Sequence, residues 1–293
     1  MAFKTVNRTV ALVTPSYAAD FERCRLLCDS VDARVSGHTR HLLLVEDADA
    51  ALFAPLAGSR REVVRESDIL DASFWRVTLR GRRLWLSSRL PPLRGWHVQQ
   101  LRRIAVATHV DEAALLYCDS DMAFARPFDA AQLWRGDDLR LYRNDGGITR
   151  DLEDGGLDHI TWTRRAHAML GLPEPAFPAH DYINNLVSWR RDAVLAMCAR
   201  LEEVSGRSWW HAVARRRRFS ECQIYGAHAD GVRRGAEHWP TALPLCLTRW
   251  FGDAMEQGEI ERFLATLAPD QVAVGIQSFT GSDPALLRRA LGL

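Results

Sequence analysis

Three short apolar runs, each breaking off into a polar cluster, constrain what this chain can fold into more than any other feature. Thr9–Thr14 (TVALVT) ends at Pro15-Ser16-Tyr17, His41–Val45 (HLLLV) at Glu46-Asp47-Ala48-Asp49, and Ala113–Cys118 (AALLYC) at Asp119-Ser120-Asp121. Continuous rather than alternating hydrophobicity marks a strand buried on both faces. Helical patterns lie between the runs. Asp20 can cap a helix whose apolar positions Phe21, Cys24, Leu27, Cys28 and Val31 repeat at three-and-four spacing. A second helix is expected from Trp96 to His109, with Leu101, Ile104, Ala105 and Thr108 facing inward. Strands alternating with helices predict an α/β fold with a mainly parallel sheet. Ligands of such sheets gather at the carboxyl ends of the strands, where all three polar clusters fall.

The second half is less regular. Asp137–Pro178, rich in Gly, Asp and Pro, reads as a long functional loop, with Gly146-Gly147 and Gly155-Gly156 as hinges of a mobile lid. Tyr182–Trp189 is expected as a strand, Arg191 to Val204 as a helix, Leu243–Trp250 and Val272–Gln277 as further strands, and Pro284–Leu291 as a terminal helix. No internal repeat is visible and no linker divides the chain.

Composition narrows the function. Among 293 residues, 38 basic side chains balance 37 acidic ones to a net charge of +1, which excludes the electrostatic footprint of a general nucleic-acid binder. All the basic residues but Lys4 are arginine, a supply of planar forks for phosphate and carboxylate. No apolar stretch approaches the roughly 18 residues of a membrane span, and the N-terminus lacks a signal-peptide run, so a cytoplasmic location is expected. Arg215–Arg218 reads as a solvated face, with attachment to anionic lipids at the inner membrane face or to an acidic glycan as its functional alternative. The six cysteines contain no C-x-x-C pair and are expected as reduced thiols. No G-x-S-x-G, phosphate-loop or H-E-x-x-H motif occurs.

The triplet Asp-x-Asp carries little by itself. With 23 Asp in the chain, about 1.8 such triplets arise by chance, and two occur. Context separates Asp119-Ser120-Asp121 from chance, because it follows one apolar strand and precedes Met122-Ala123-Phe124. Side chains at i and i+2 of an extended segment point the same way. Two carboxylates held so close repel unless a cation neutralises them, and a hard divalent ion that does so also binds a diphosphate. The plain alternative is a pair of solvated turn carboxylates.

These segments resemble the GT-A glycosyltransferases. Val10–Ser30 looks like the family's opening strand, its Pro-x-Tyr end and its first helix; Leu43–Asp49 (LLVEDAD) resembles the second strand, and Leu115–Phe124 (LLYCDSDMAF) the metal-binding Asp-x-Asp strand. The helix Gly95-Trp96-His97-Val98-Gln99-Gln100 is similar to that of a bacterial group of glycosyltransferase-like proteins. The resemblance implies one GT-A-like domain over 1–293, with a nucleotide-sugar-binding half at 9–130 and an acceptor half at 131–293.

It further implies that Thr14, Pro15, Ser16, Tyr17, Glu46, Asp47, Gln99, Gln100, Arg103, Ser120 and Asn184 bind the donor. Asp119 and Asp121 would hold Mn²⁺ or Mg²⁺, with His238 or His228 completing the shell. Arg102 or Arg103 can add charge-assisted bonds to phosphate, with a solvated helix face expected for at least one of them. Glu221 and Asp181 are the candidate catalytic bases. The expected activity is sugar transfer from a nucleotide sugar, a UDP-sugar above all, to a glycan or surface-polysaccharide acceptor. A nucleotidyltransferase and a non-catalytic glycan-binding scaffold of the same fold are the rivals. The nucleotidyltransferase calls for a Gly-rich loop after the first strand, and Pro15–Asp20 has no Gly.

Overall fold

The structure, a computed structural model, describes residues 7–70, 74–79, 82–87, 90–150, 158–216 and 218–293. Val10–Pro15 (β1), Arg40–Val45 (β2), Arg61–Arg65 (β3), Ala114–Cys118 (β4) and Leu186–Arg190 (β5) form a sheet of order β5-β4-β1-β2-β3. β1 runs parallel to β2 and β4, and β2 parallel to β3, whereas β5 pairs antiparallel with β4. Every residue of β1 and β4 is buried. Side chains alternate between two apolar clusters: Ala11, Val13, Leu115 and Tyr117 enter one, and Val10, Leu12, Leu116 and Cys118 the other. Each fully buried Leu contributes about 2 kcal/mol by leaving water.

Phe21–Arg34 (α1) leads from β1 toward β2, and Gly95–Ala105 (α2) precedes β4 and continues as a 3-10 turn to Thr108. The three polar clusters therefore share one edge of the sheet. Because β5 is antiparallel, its amino end lies there too, with Leu186 opposite Cys118. The fold is α/β as expected, with mixed sheets.

Several expectations need correction. Asp137–Pro178 is not one long loop: it contains strands Asp138–Tyr142 and Asn144–Ile148 and a 12-residue helix, His159–Leu170 (α3). Helix α3 buries Ile160, Thr163, Ala166, Met169 and Leu170 and ends at Gly171, whose φ of 66° suits the left-handed cap. Gly146-Gly147 is not a free hinge, since it lies in a strand paired with Ala179–Asp181. A Cβ on Gly147 would meet the Asn144 side chain at 2.5 Å. Gly155-Gly156 and Arg217 lie outside the described residues. The strand expected at Tyr182–Trp189 begins only at Leu186, and the one at Leu243–Trp250 is Cys246–Arg249. Arg191–Ser205 (α4) and the terminal helix Pro284–Leu291 match expectation. An antiparallel meander of Trp75–Leu79, Arg82–Ser87 and Leu90–Arg94 escaped the reading, its arginines obscuring the strand alternation. All six cysteines are free thiols. Among the described residues no helix is long and apolar enough to cross a membrane.

Candidate functional site

The acidic pair sits where β4 ends. The Asp119 amide donates to the Asn185 carbonyl at 3.1 Å, and the Met122 amide returns to the Asp119 carbonyl at 3.3 Å, closing a tight turn. The Asp121 carboxylate accepts from the Ser278 amide at 2.9 Å. Ser120 is buried beside Asp20, whose carboxyl burial raises and Ser120 draws back down. Asp119 keeps 23% of its side-chain surface open, yet burial pushes its carboxyl up to about 6 against the pull of Arg103. Asp121 is pushed to about 7 by burial and then by Asp119. Two neighbouring carboxyls raised together form a site short of positive charge.

One cation is already built in. Arg103 of α2 is 6% exposed and places Nη1 2.9 Å from Glu221 Oε1 and 3.4 Å from Asp119 Oδ1. Its guanidinium lies 4.7 Å from the Tyr117 ring centroid, and the Tyr117 hydroxyl donates to the Arg103 carbonyl at 2.6 Å. Burial opposes the charge most strongly, but Glu221, Cys222, Asp119 and Tyr117 together outweigh it and raise the Arg103 pKa. Glu221 opens helix Glu221–Ala227 (α5) behind the cap Ser220, and its amide donates to Gln100 Oε1 at 3.0 Å. Asp181 stands on the same side. Its Oδ1 accepts from Gln223 Nε2 and the Ile183 amide, each at 3.1 Å, and lies 4.0 Å from His159 Nδ1. Burial raises the Asp181 carboxyl, with His159 opposing.

The ends of β1 and β2 form a second charged group. Glu46, 4% exposed, accepts from Arg76 Nη1 at 2.6 Å and Arg83 Nη1 at 2.9 Å, both from the meander. Asp49 accepts from the Ala18 amide at 2.8 Å, and Asp47 accepts from the Ser67 hydroxyl. Arg102 reaches Glu66 at 3.5 Å. Neither Arg102 nor Arg103 forms a solvated helix face: they leave α2 toward different acidic groups and are 3% and 6% exposed. Tyr17, 39% exposed, lies between the two groups; burial and then Asp20 raise its phenol, and Arg83 and Asp121 both act on it.

The remaining expected donor residues divide by access. Thr14 is fully buried, its hydroxyl bonded to His41 Nε2 at 2.9 Å. Pro15 closes β1 and is buried; the Ser16 amide donates to the Leu44 carbonyl at 2.9 Å. Asn184 is buried, its Oδ1 accepting from the Leu186 amide at 3.2 Å, and Gln99 is half-buried. Sequence reasoning missed Arg76, Arg83 and His159. The first two lie in the arginine-rich meander and the third opens helix α3, between loop-forming Gly, Asp and Pro residues.

The two histidines expected to complete a metal shell are both buried. His238 Nε2 bonds to the Tyr225 hydroxyl and Nδ1 to the Ala236 carbonyl, each at 2.8 Å, so both ring nitrogens are occupied. Among the described residues no three His, Cys, Asp or Glu side chains gather in a metal-holding group. His228 is 1% exposed, and burial, reinforced by Arg233, His238 and Arg200, lowers its pKa to about 4. The unfolded chain therefore takes up a proton first on acidification. This group alone removes up to about 3 kcal/mol of stability as the pH falls from 6.5 to 4. In His228→Gln that part of the loss disappears; urea midpoints of both proteins at the two pH values check it, and identical pH dependence would refute it.

The profile of a protein family of unknown function (DUF6492) matches residues 6–291. No curated protein matches the chain.

Proposed function

We propose that this chain, which belongs to the DUF6492 family, is a GT-A-like, metal-dependent glycosyltransferase that moves a sugar from a nucleotide sugar, a UDP-sugar above all, to a glycan acceptor. The observation that carries this reading is the shared sheet edge, where Asp119 and Asp121 lie between the Glu46 group and the Glu221–Asp181 side. That order matches the parts of a nucleotide sugar: nucleoside, diphosphate, sugar, acceptor.

The residues fit a metal ion of a particular kind. Two desolvated, raised carboxyls supply hard oxygen donors and want a cation. Two carboxylates without histidine suit an ion that keeps waters and takes substrate phosphate oxygens, the habit of Mg²⁺. With both His238 nitrogens engaged by Tyr225 and Ala236, the two carboxylates by themselves give no preference for Mn²⁺. When bound, the ion offsets charge that gathers on the leaving diphosphate, which stabilises the transition state more than the ground state.

The chain's own residues do the rest. Tyr17 offers an open ring beside Arg83 and Asp121, and Glu46 and Asp47 present acceptors for base or ribose. In an inverting transfer the acceptor oxygen attacks the anomeric carbon and its proton passes to a carboxylate. The bond from that carbon to the diphosphate oxygen breaks, and its electron pair leaves on the nucleotide. Asp181, with 19% of its side chain open, suits the base; Glu221, 6% open and paired with Arg103, suits positioning.

Calorimetry with UDP tests the reading. UDP is expected to bind in Mg²⁺ or Mn²⁺ and to lose affinity in EDTA. Turnover of a nucleoside triphosphate would favour nucleotidyl transfer instead, and glycan binding indifferent to metal and nucleotide would favour the scaffold.

A further inference from the structure

An aromatic surface flanks the candidate bases, and neither the donor nor the metal uses it. Trp96, at the start of α2, is 47% exposed although its ring lies 5.6 Å from that of Trp162 and 6.5 Å, stacked, from the buried ring of Phe219. His159 continues the surface, its ring 5.0 Å from Trp162 and its Nδ1 4.0 Å from Asp181 Oδ1. The surface is tied to the other candidate base as well. Gln100 Nε2 donates to the Trp96 carbonyl at 3.4 Å, while its Oε1 accepts from the Glu221 amide.

We infer that Trp96 and Trp162 form the platform on which the acceptor's terminal pyranose ring stacks, with one hydroxyl turned toward Asp181. The inference rests on the transfer reading above, which makes the adjoining carboxylates reactive. Its chemistry follows from the composition of the surface. A pyranose has an apolar face of C–H bonds and an equator of hydroxyls. It therefore needs an aromatic face bordered by hydrogen-bonding groups. Here the rings of Trp96 and Trp162 are bordered by His159, Asp181 and Asp158, the last paired with Arg218 at 3.1 Å. An acyl chain would find that border costly, because it would strip water from charged groups and return no hydrogen bonds. The depth of Phe219, 0% exposed beneath Trp96, holds the platform rigid, so little ordering is lost on binding.

The test uses the full chain without donor and four disaccharide probes: cellobiose, lactose, chitobiose and mannobiose, read by saturation-transfer NMR and tryptophan fluorescence. At least one is expected to bind the wild type, and Trp96→Ala is expected to weaken it about tenfold, the scale of one lost aromatic contact. Trp96→Phe, which keeps a ring, stays within about threefold. UDP affinity in Mg²⁺ is unchanged in both variants, which shows that the nucleotide end is intact. Failure of all four disaccharides to bind, or equal binding by Trp96→Ala, overturns the platform. Trp96-dependent disaccharide binding in a protein that never binds UDP would uphold the platform and overturn the transfer reading, so the two failures are distinguishable.

Discussion

Arg103→Met is expected to cost about 3–5 kcal/mol of folding stability, the usual penalty for removing one partner of a buried ion pair. The side chain is 6% exposed and bridges Glu221, itself 5% exposed, to Asp119. Its loss leaves Glu221 desolvated with no opposite charge beside it, and Asp119 without the cation that holds its pKa down. The size follows from the asymmetry of such pairs: an unpaired buried charge is expensive, whereas a matched pair is close to neutral relative to apolar replacements. Arg103→Met/Glu221→Gln should therefore recover most of the loss, because the amide keeps the shape of Glu221 without its charge. Urea unfolding of the wild type and the two variants measures both halves. A single variant within about 1 kcal/mol of wild type would mean that water reaches Glu221, and a double variant no better than the single would mean that Arg103 acts through packing on Tyr117 rather than through charge.

The parts of this molecule that could be read from the chain are those set by local pattern. β1, β2 and β4 are almost wholly buried, so each carries a nearly continuous apolar run with an abrupt end. Knowing that the strands are parallel was enough to bring Tyr17, Glu46 and Asp119 to one edge. What could not be read depends on partners far away in the chain. Nothing local shows that Arg103 is buried, because its partner Glu221 belongs to another helix, or that Arg102 turns to Glu66. The tyrosine that occupies His238 comes from α5, so a histidine well suited to metal in sequence is a pinned strand residue in space. α3 was missed because Gly, Asp and Pro on both sides outweighed its apolar spacing, although Gly171 marks its end plainly. The meander failed for a different reason. Trp75 and Val77 are exposed, so the described apolar side chains of its first strand do not mark a buried face.

Asp121→Asn separates the role of the acidic pair from its place in the fold. The amide oxygen can still accept from the Ser278 amide, and the substitution removes a carboxylate that repels Asp119, so the melting temperature should stay level or rise. Metal-dependent UDP affinity should fall at least 100-fold, about 2.7 kcal/mol, since one of two anionic donors to a divalent ion is gone. Turnover should fall about 1,000-fold or more, because charge on the departing diphosphate is where a fixed cation stabilises the transition state beyond the ground state. The combination is diagnostic. A variant that is stable but no longer binds UDP with metal identifies Asp121 as a ligand. One that loses stability and binding together identifies a structural carboxylate. If Asp121→Asn binds UDP and Mg²⁺ as the wild type does, the acidic pair does not hold the donor's metal, and the Glu46 group with Arg76 and Arg83 becomes the remaining place on this edge for a nucleotide to be recognised.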